Sequence, residues 1–173
     1  MAELGRTEEA LPGLEKAAEL SPHDPMRHMH LGAALIALGR WQDAIAEYQS
    51  AIQMASGVSI HSQWKDVAVR TIQAHSYANL AAIYDELGDY PKMRDSYRQA
   101  LKVDPQEGSD MIQRLTSYAE SEPSGKNYLQ LAVLLQECGK LPEARDAYQQ
   151  ALKLDPSLGE AKQALNAMGQ DNR

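Results

Sequence analysis

Tyr48-Gln49-Ser50-Ala51-Ile52, Tyr97-Arg98-Gln99-Ala100-Leu101 and Tyr148-Gln149-Gln150-Ala151-Leu152 are three versions of one phrase, Tyr-x-x-Ala followed by Leu or Ile. Each begins nine residues after a glycine: Gly39, Gly88 and Gly139. Pro105 and Pro156 lie four residues beyond the Leu of the second and third copies. A weaker copy at the start has Gly5, Leu14, Ala17 and Pro22. Internal repetition decides the architecture first, because a repeated unit cannot bury its apolar face alone and must stack on neighbours. The functional question becomes which partner, rather than which reaction.

Working outward, the apolar spacing is helical. Leu31, Leu35, Ile36 and Leu38, then Trp41, Ala44, Ile45 and Tyr48, recur at i, i+3, i+4 and i+7, and strand-like alternation is absent. Each of the three glycines ends one periodic segment just before the next, where a left-handed residue stops a helix. Pro91 and Pro142 then fall in the first turn of the following helix, where a missing N–H costs little. Asp24-Pro25 reads as an N-cap followed by the first helical residue. The expected helices are 6–20, 25–38, 41–54, 62–87, 90–103, 108–120, 126–138, 141–154 and 158–168, with loops at 55–61 and 121–125.

Composition narrows the class. The 173 residues are 43% hydrophobic, with eight Tyr, two Trp and no Phe, and the net charge is -7. Charges alternate along the chain and read as solvated helix faces. No basic patch stands out, which argues against nucleic acid and anionic membrane surfaces. No apolar run approaches the ~20 residues of a membrane span, and the N-terminus carries no signal segment. One cysteine, Cys138, excludes an intramolecular disulfide and a multi-cysteine metal site, and fits a reducing compartment such as the cytoplasm.

The hairpins resemble tetratricopeptide repeats. Residues 25–58 supply His28, Leu31, Gly32, Leu35, Gly39, Trp41, Ala44, Tyr48 and Ala51 at that family's key positions, with Ser56 breaking the pattern. Residues 74–107 supply Tyr77, Leu80, Ala81, Tyr84, Gly88, Tyr90, Met93, Tyr97, Ala100 and Pro105. Residues 125–158 supply Tyr128, Leu131, Ala132, Leu135, Gly139, Leu141, Ala144, Tyr148, Ala151 and Pro156. These copies span about 60% of the chain. The resemblance implies an all-α solenoid of antiparallel helix hairpins in one domain: a half-repeat at 1–24, the three repeats, an extra helix at 108–120 and a capping helix at 158–168. Small residues let helices approach to the short end of ~8–10 Å, and the large ones fill the seams. Met93, where alanine is usual, predicts a looser second hairpin.

The spacing breaks twice. Leu14 to Tyr48 is 34 residues, Tyr48 to Tyr97 is 49 and Tyr97 to Tyr148 is 51. The first insertion has no Gly or Pro between Val58 and Leu87, so it extends a helix backwards. Ten residues project it by about 15 Å, with Trp64 and Val67 needing cover. The second insertion, 108–124, carries Met111, Ile112, Leu115, Tyr118 and Ala119 at helical spacing. One added helix changes parity: either the third hairpin docks flipped or helix 108–120 lies across the stack, with a break in the superhelix near residue 108. At the start, Ala10, Leu14 and Ala17 expect a neighbour, as in a fragment whose Met1 comes from cloning. At the end, Ala161, Ala164, Leu165 and Met168 face inward while Lys162, Gln163 and Asn166 face water.

In this family the first helices line a concave groove that binds peptides. By that resemblance the groove residues are Met29, His30 and Ala33, then His75, Asn79 and Ala82, then Lys126, Gln130 and Val133. Met26, Ile36, Ala78, Asp85, Leu129 and Gln136 occupy further groove positions. Asn79 stands out, since an amide pairs with a peptide's N–H and C=O together. Some relatives clamp a C-terminal carboxylate. Asn79 and Lys126 match that clamp, but Met29, Ala33 and Gln130 replace its remaining polar and charged residues, so that activity is rejected. His28 and His30 leave a helix about 200° apart and cannot share a metal. Cys138 reads as a packed thiol, and no nucleophile, phosphate loop or carboxylate pair suggests catalysis.

The expectation is a non-enzymatic interaction module, without cofactor or metal, that holds a protein or peptide partner in the groove. Two alternatives remain. One is self-assembly through the N-terminal edge or the Trp64 overhang. The other is a regulatory or substrate-presenting tail, like the repeat tails of bacterial membrane glycosyltransferase-like proteins.

Overall fold

The structure, a computed structural model, describes residues 2–57 and 63–170. These residues form nine helices: α1 (Ala2–Leu20), α2 (Pro25–Ala37), α3 (Trp41–Gly57), α4 (Gln63–Glu86), α5 (Tyr90–Val103), α6 (Pro105–Ser121), α7 (Gly125–Glu137), α8 (Leu141–Leu154) and α9 (Gly159–Gln170). The fold is all-α, a stack of consecutive helix hairpins. Among the described residues no helix is long and apolar enough to cross a membrane.

The three hairpin tips share one construction. Gly39, Gly88 and Gly139 have φ of 69°, 71° and 74°, the left-handed region that favours glycine. The next residue's N–H reaches back to a carbonyl of the ending helix: Arg40 to Leu35 (2.9 Å), Asp89 to Tyr84 (2.8 Å) and Lys140 to Leu135 (2.9 Å). This back-bond satisfies carbonyls that a helix end would otherwise orphan. Starts are capped by side chains: Asp24 accepts from Met26 N–H, Asp89 from Lys92 N–H and Ser124 from Asn127 N–H.

Several boundaries differ from the sequence reading. α6 begins at Pro105, not 108, because Asp104 caps it by accepting from Gln106 N–H at 3.0 Å. The related Asp155-Pro156 instead makes a turn, with Asp155 accepting from both N–H and Oγ–H of Ser157, and α9 starts only at Gly159. α3 runs on to Gly57, so residues 55–57 are helical, while 58–61 lie outside the described residues. α4 does extend backwards, to Gln63. The extra turn of α3 covers part of that extension: Gln73 donates to Ser56 Oγ at 2.8 Å, and Ile72 and Ala74 are buried. The side chains of Trp64 and Val67 lie outside the described residues. In α1, Ala18 and not Ala10 is the buried alanine, with Leu14 packed beside it.

Two apolar cores share α4. One joins Ala18, Leu31, Leu35, Ala44, Tyr48, Leu80 and Ile83. The other runs unbroken from Ala81 through Met93, Met111, Leu129 and Tyr148 to Ala164. Tyr77 and Tyr84 pack against both. Each fully buried side chain the size of Ile83 or Leu129 contributes about 1.5–3 kcal/mol. Met93 is wholly buried, so the core has absorbed its extra bulk.

The parity question has a definite answer. The end of α4 meets the start of α7, where Asp85 and Lys126 approach to 3.5 Å and Gln130 donates to Asp85. Meanwhile Arg98 of α5 pairs with Glu137 at the end of α7 (3.1 Å). So α7 runs antiparallel to α4 and parallel to α5, and the third hairpin is flipped. α6 packs on α5 and α7 and also touches α4. The regular order of the superhelix changes there, as expected near residue 108, but the core stays packed: Gly108 is buried, and a Cβ there would fall 2.4 Å from Leu101 Cδ2.

Candidate functional site

A concavity of about 450 Å³ opens where α2, α4 and α6 lie side by side. Met29, His30 and Ala33 reach it from α2, and His75, Ala78, Asn79 and Ala82 from α4. Met111, Arg114 and Leu115 come from α6, and Gln130 closes one end from α7. The spacings within each helix are one, three, four or seven residues, the spacings of a single helical face. α4 contributes four residues because it crosses the middle of the groove.

The floor is aromatic. Tyr48 and Tyr97, both buried, line the base. The Tyr48 ring is pressed against Gly32, where a Cβ would come within 3.0 Å of the ring. Among the described residues the Tyr48 hydroxyl has no hydrogen-bond partner, and burial pushes its pKa up to about 12. Burial also raises Tyr97, with the Asp85 carboxylate adding to the effect and Arg114 opposing it. Tyr148, at the same repeat position in the third hairpin, donates its hydroxyl to Gln136 Oε1 at 2.7 Å. Ile36 occupies the corresponding place beside Tyr48, which explains the orphaned hydroxyl.

Of the nine groove residues read from the sequence, the structure brings Met29, His30, Ala33, His75, Asn79, Ala82 and Gln130 into one concavity. Lys126 and Val133 are not in it. Lys126 pairs with Glu86 (2.9 Å) and Asp85 (3.5 Å), and Val133 is fully buried. Leu129 is buried too, and Asp85 is sealed beneath Gln130 and Lys126. The cause is the flipped third hairpin. α7 turns into the core, and α6 takes the place beside α4 that α7 was expected to fill. Met111, Arg114 and Leu115 were therefore missed as groove residues. The signal for them was the parity of the added helix.

Charged groups around the groove have settled states. Burial raises the Asp85 pKa, against the lowering effects of Gln130 and Lys126, and among the described residues its Oδ1 has no partner. Burial also raises the Cys138 thiol, as fits a packed residue. His28 turns away from the groove: Nδ1 lies 2.7 Å from Glu47 and Nε2 3.0 Å from the Pro22 carbonyl. Among the described residues no group of three or more His, Cys, Asp or Glu could hold a metal.

Three tetratricopeptide repeat models match the chain, over residues 2–59, 74–107 and 125–158. The small glutamine-rich tetratricopeptide repeat-containing protein 2 of Mycosarcoma maydis is 27% identical over 111 residues, which are 64% of this chain and 27% of that protein. This chain thus spans about a quarter of that relative's length. Among solved structures, the MamA protein superposes with a TM-score of 0.52 at 21% identity, covering 92% of this chain and 69% of that one. At that identity the likeness concerns the fold alone. With three repeat models, the residues at their key positions and the stacked hairpins all in agreement, the chain belongs to the tetratricopeptide repeat family.

Proposed function

We propose that this repeat module is non-enzymatic and holds a segment of a partner protein in the α2–α4–α6 groove. Repeats of this family generally serve as protein-interaction modules. One observation carries the assignment to this groove. A single concavity gathers apolar walls, a few polar groups (Asn79, His75 and Gln130) and a buried hydroxyl with no partner among the described residues. Concave, mostly apolar sites with few polar anchors are the usual form of a binding site. Asn79 sits mid-groove, where its amide can pair with a backbone N–H and C=O of the occupant.

Affinity capture with wild type and a Met29→Glu/Asn79→Ala double variant tests the assignment. The double variant is expected to lose one or more partners that wild type recovers. Equal recovery of every captured protein would sink the groove as the binding face. For the self-assembly alternative, Leu14 and Ala18 of α1 pack against the core that α2 shares, while Leu20 of the same helix stays exposed.

A further inference from the structure

Gln130 belongs to two places at once. It closes one end of the groove from α7, and its Nε2 donates to Oδ2 of Asp85 on α4. Asp85 is 1% exposed, and among the described residues its Oδ1 has no partner. The Lys126 ammonium stands 3.5 Å from Oδ2 but is nearer to Glu86, at 2.9 Å. A buried carboxylate is therefore held chiefly by an amide that also lines the concavity. An amide offers an NH2 group on one side and a carbonyl on the other. An ionised carboxylate only accepts, so it takes the NH2 and leaves the carbonyl as the acceptor for the groove. A protonated carboxyl donates, and the partner it then needs is the carbonyl.

The other titratable and charged groups around the pair come from three helices. Glu86 of α4 is exposed and pairs with Lys126 of α7. From α5, Tyr90 and Tyr97 lie in the field of Asp85, and burial raises both hydroxyls, so neither changes charge in acid. From α6, Arg114 acts on Tyr97, and Tyr118 lies in the field of Glu86. Burial lifts Asp85 above its ordinary 3.8, and Gln130 and Lys126 only partly offset it.

We propose that Asp85 and Gln130 form a proton-driven amide switch at the closed end of the groove. With Asp85 ionised, the groove meets the Gln130 carbonyl, an acceptor. When a proton from water joins the Asp85 carboxyl, the carboxyl donates it in a hydrogen bond to Gln130 Oε1. The amide turns over about its last side-chain bond, and its NH2 faces the groove as a donor. Lys126 stays with Glu86. The purpose of the switch rests on the groove being the partner site: a partner group that accepts is favoured in acid, and one that donates is favoured near neutrality. An occupant that accepts from Gln130 in turn favours proton uptake at Asp85, because such coupling is reciprocal.

Side-chain NMR against pH, on the chain without any partner, tests the switch. The Asp85 carboxyl carbon shift and the Gln130 side-chain amide shifts are expected to move together, with one shared midpoint above 3.8. Asp85→Asn is expected to hold the Gln130 signals constant over the same range. Glu86→Gln is expected to leave the shared movement in place. Gln130 signals that stay still while Asp85 titrates overturn the switch, and so do Gln130 signals that still titrate in Asp85→Asn. A midpoint at or below 3.8 overturns it as well. So does loss of the folded methyl pattern of Leu129 and Val133 before Asp85 takes up its proton. None of these outcomes touches the groove reading, which the capture experiment with Met29→Glu/Asn79→Ala decides separately.

Discussion

Tyr48 and Tyr148 occupy the same place in their hairpins and differ by one hydrogen bond. Gln136 accepts from Tyr148, while the Ile36 that stands in its place leaves the Tyr48 hydroxyl buried and, among the described residues, without a partner. A buried hydrogen bond contributes about 1 kcal/mol net, and an unmade one carries the full desolvation penalty. Tyr148→Phe should therefore lower stability by about 1 kcal/mol, while Tyr48→Phe should be neutral or gain up to about 1 kcal/mol. Urea denaturation of the two variants checks the contrast. Gly125 gives a second prediction at this scale. A Cβ there would meet Asp155 Cβ at 2.6 Å and the Ala151 carbonyl at 3.0 Å, neither at the end of a flexible chain. Gly125→Ala should cost about 1–3 kcal/mol through overpacking, measured the same way. Much of this scale was legible. The alternation of Ala44, Ala51, Ala100, Ala144 and Ala151 with large tyrosines anticipated the buried seams, because steric fit inside a hairpin is local. Tyr48's missing partner was readable from Ile36 and Gln136, but only once the two hairpins are compared position by position.

Helix ends proved more legible than helix neighbours. The glycine tips and the Asp24 cap follow from local backbone chemistry, so they could be read directly. The groove contribution of α6 follows from which element lies beside which, and local chemistry does not carry that. Asp104 shows the limit well: Asp-Pro starts a helix there but opens a turn at Asp155. The α4–α7 joint offers a pH test. Asp85 has a pKa raised above 3.8, chiefly by burial, so its contribution to stability is full below 3.8 and is lost as pH rises through the folded value. Asp85→Asn should become progressively more stable than wild type across that window and then hold its advantage, with Lys126 still paired to Glu86. The hairpin of α2 and α3 gives the matching case for a base. Burial disfavours the His28 cation, but Glu47 and the Pro22 carbonyl outweigh it and raise the pKa above 6.5. Its stabilisation is full below 6.5 and is lost as pH rises through the folded value. His28→Gln should flatten that decline, seen in denaturation midpoints measured against pH.

Across the whole molecule, α4 is the element that both cores require. Tyr77 and Tyr84 pack against each of them, and Ile83 and Ala81 belong to one apiece. Repeat stacks are held by nearest-neighbour interfaces, so stability falls toward an end with one neighbour. α1 packs chiefly on α2 and has Pro12 in its interior, which removes a helix hydrogen bond. Hydrogen exchange should therefore be slowest in α4 and α7 and fastest in α1, by orders of magnitude if α1 opens locally. Uniform protection across all the helices would show that the stack opens only as a unit. The overall class was legible from repetition, since stacking is forced on any such unit. The direction of the third hairpin was legible from parity only as one of two alternatives. It depends on which side of α5 the added helix chooses, and buried contacts such as Met111 and Leu129 decide that together.

The thiol of Cys138 lies 3.4 Å from the place where a Cβ on Gly108 would stand, at the seam where α6 folds back on α5 and the end of α7. It is the chain's one cysteine. Nature has thus placed a stopwatch at the turning point of the stack. The sulfur is half-buried, so the rate at which a small disulfide reagent consumes it, set against the rate in denaturant, reports how far the closed seam shields it. It does so on the unaltered chain, without a label or a substitution.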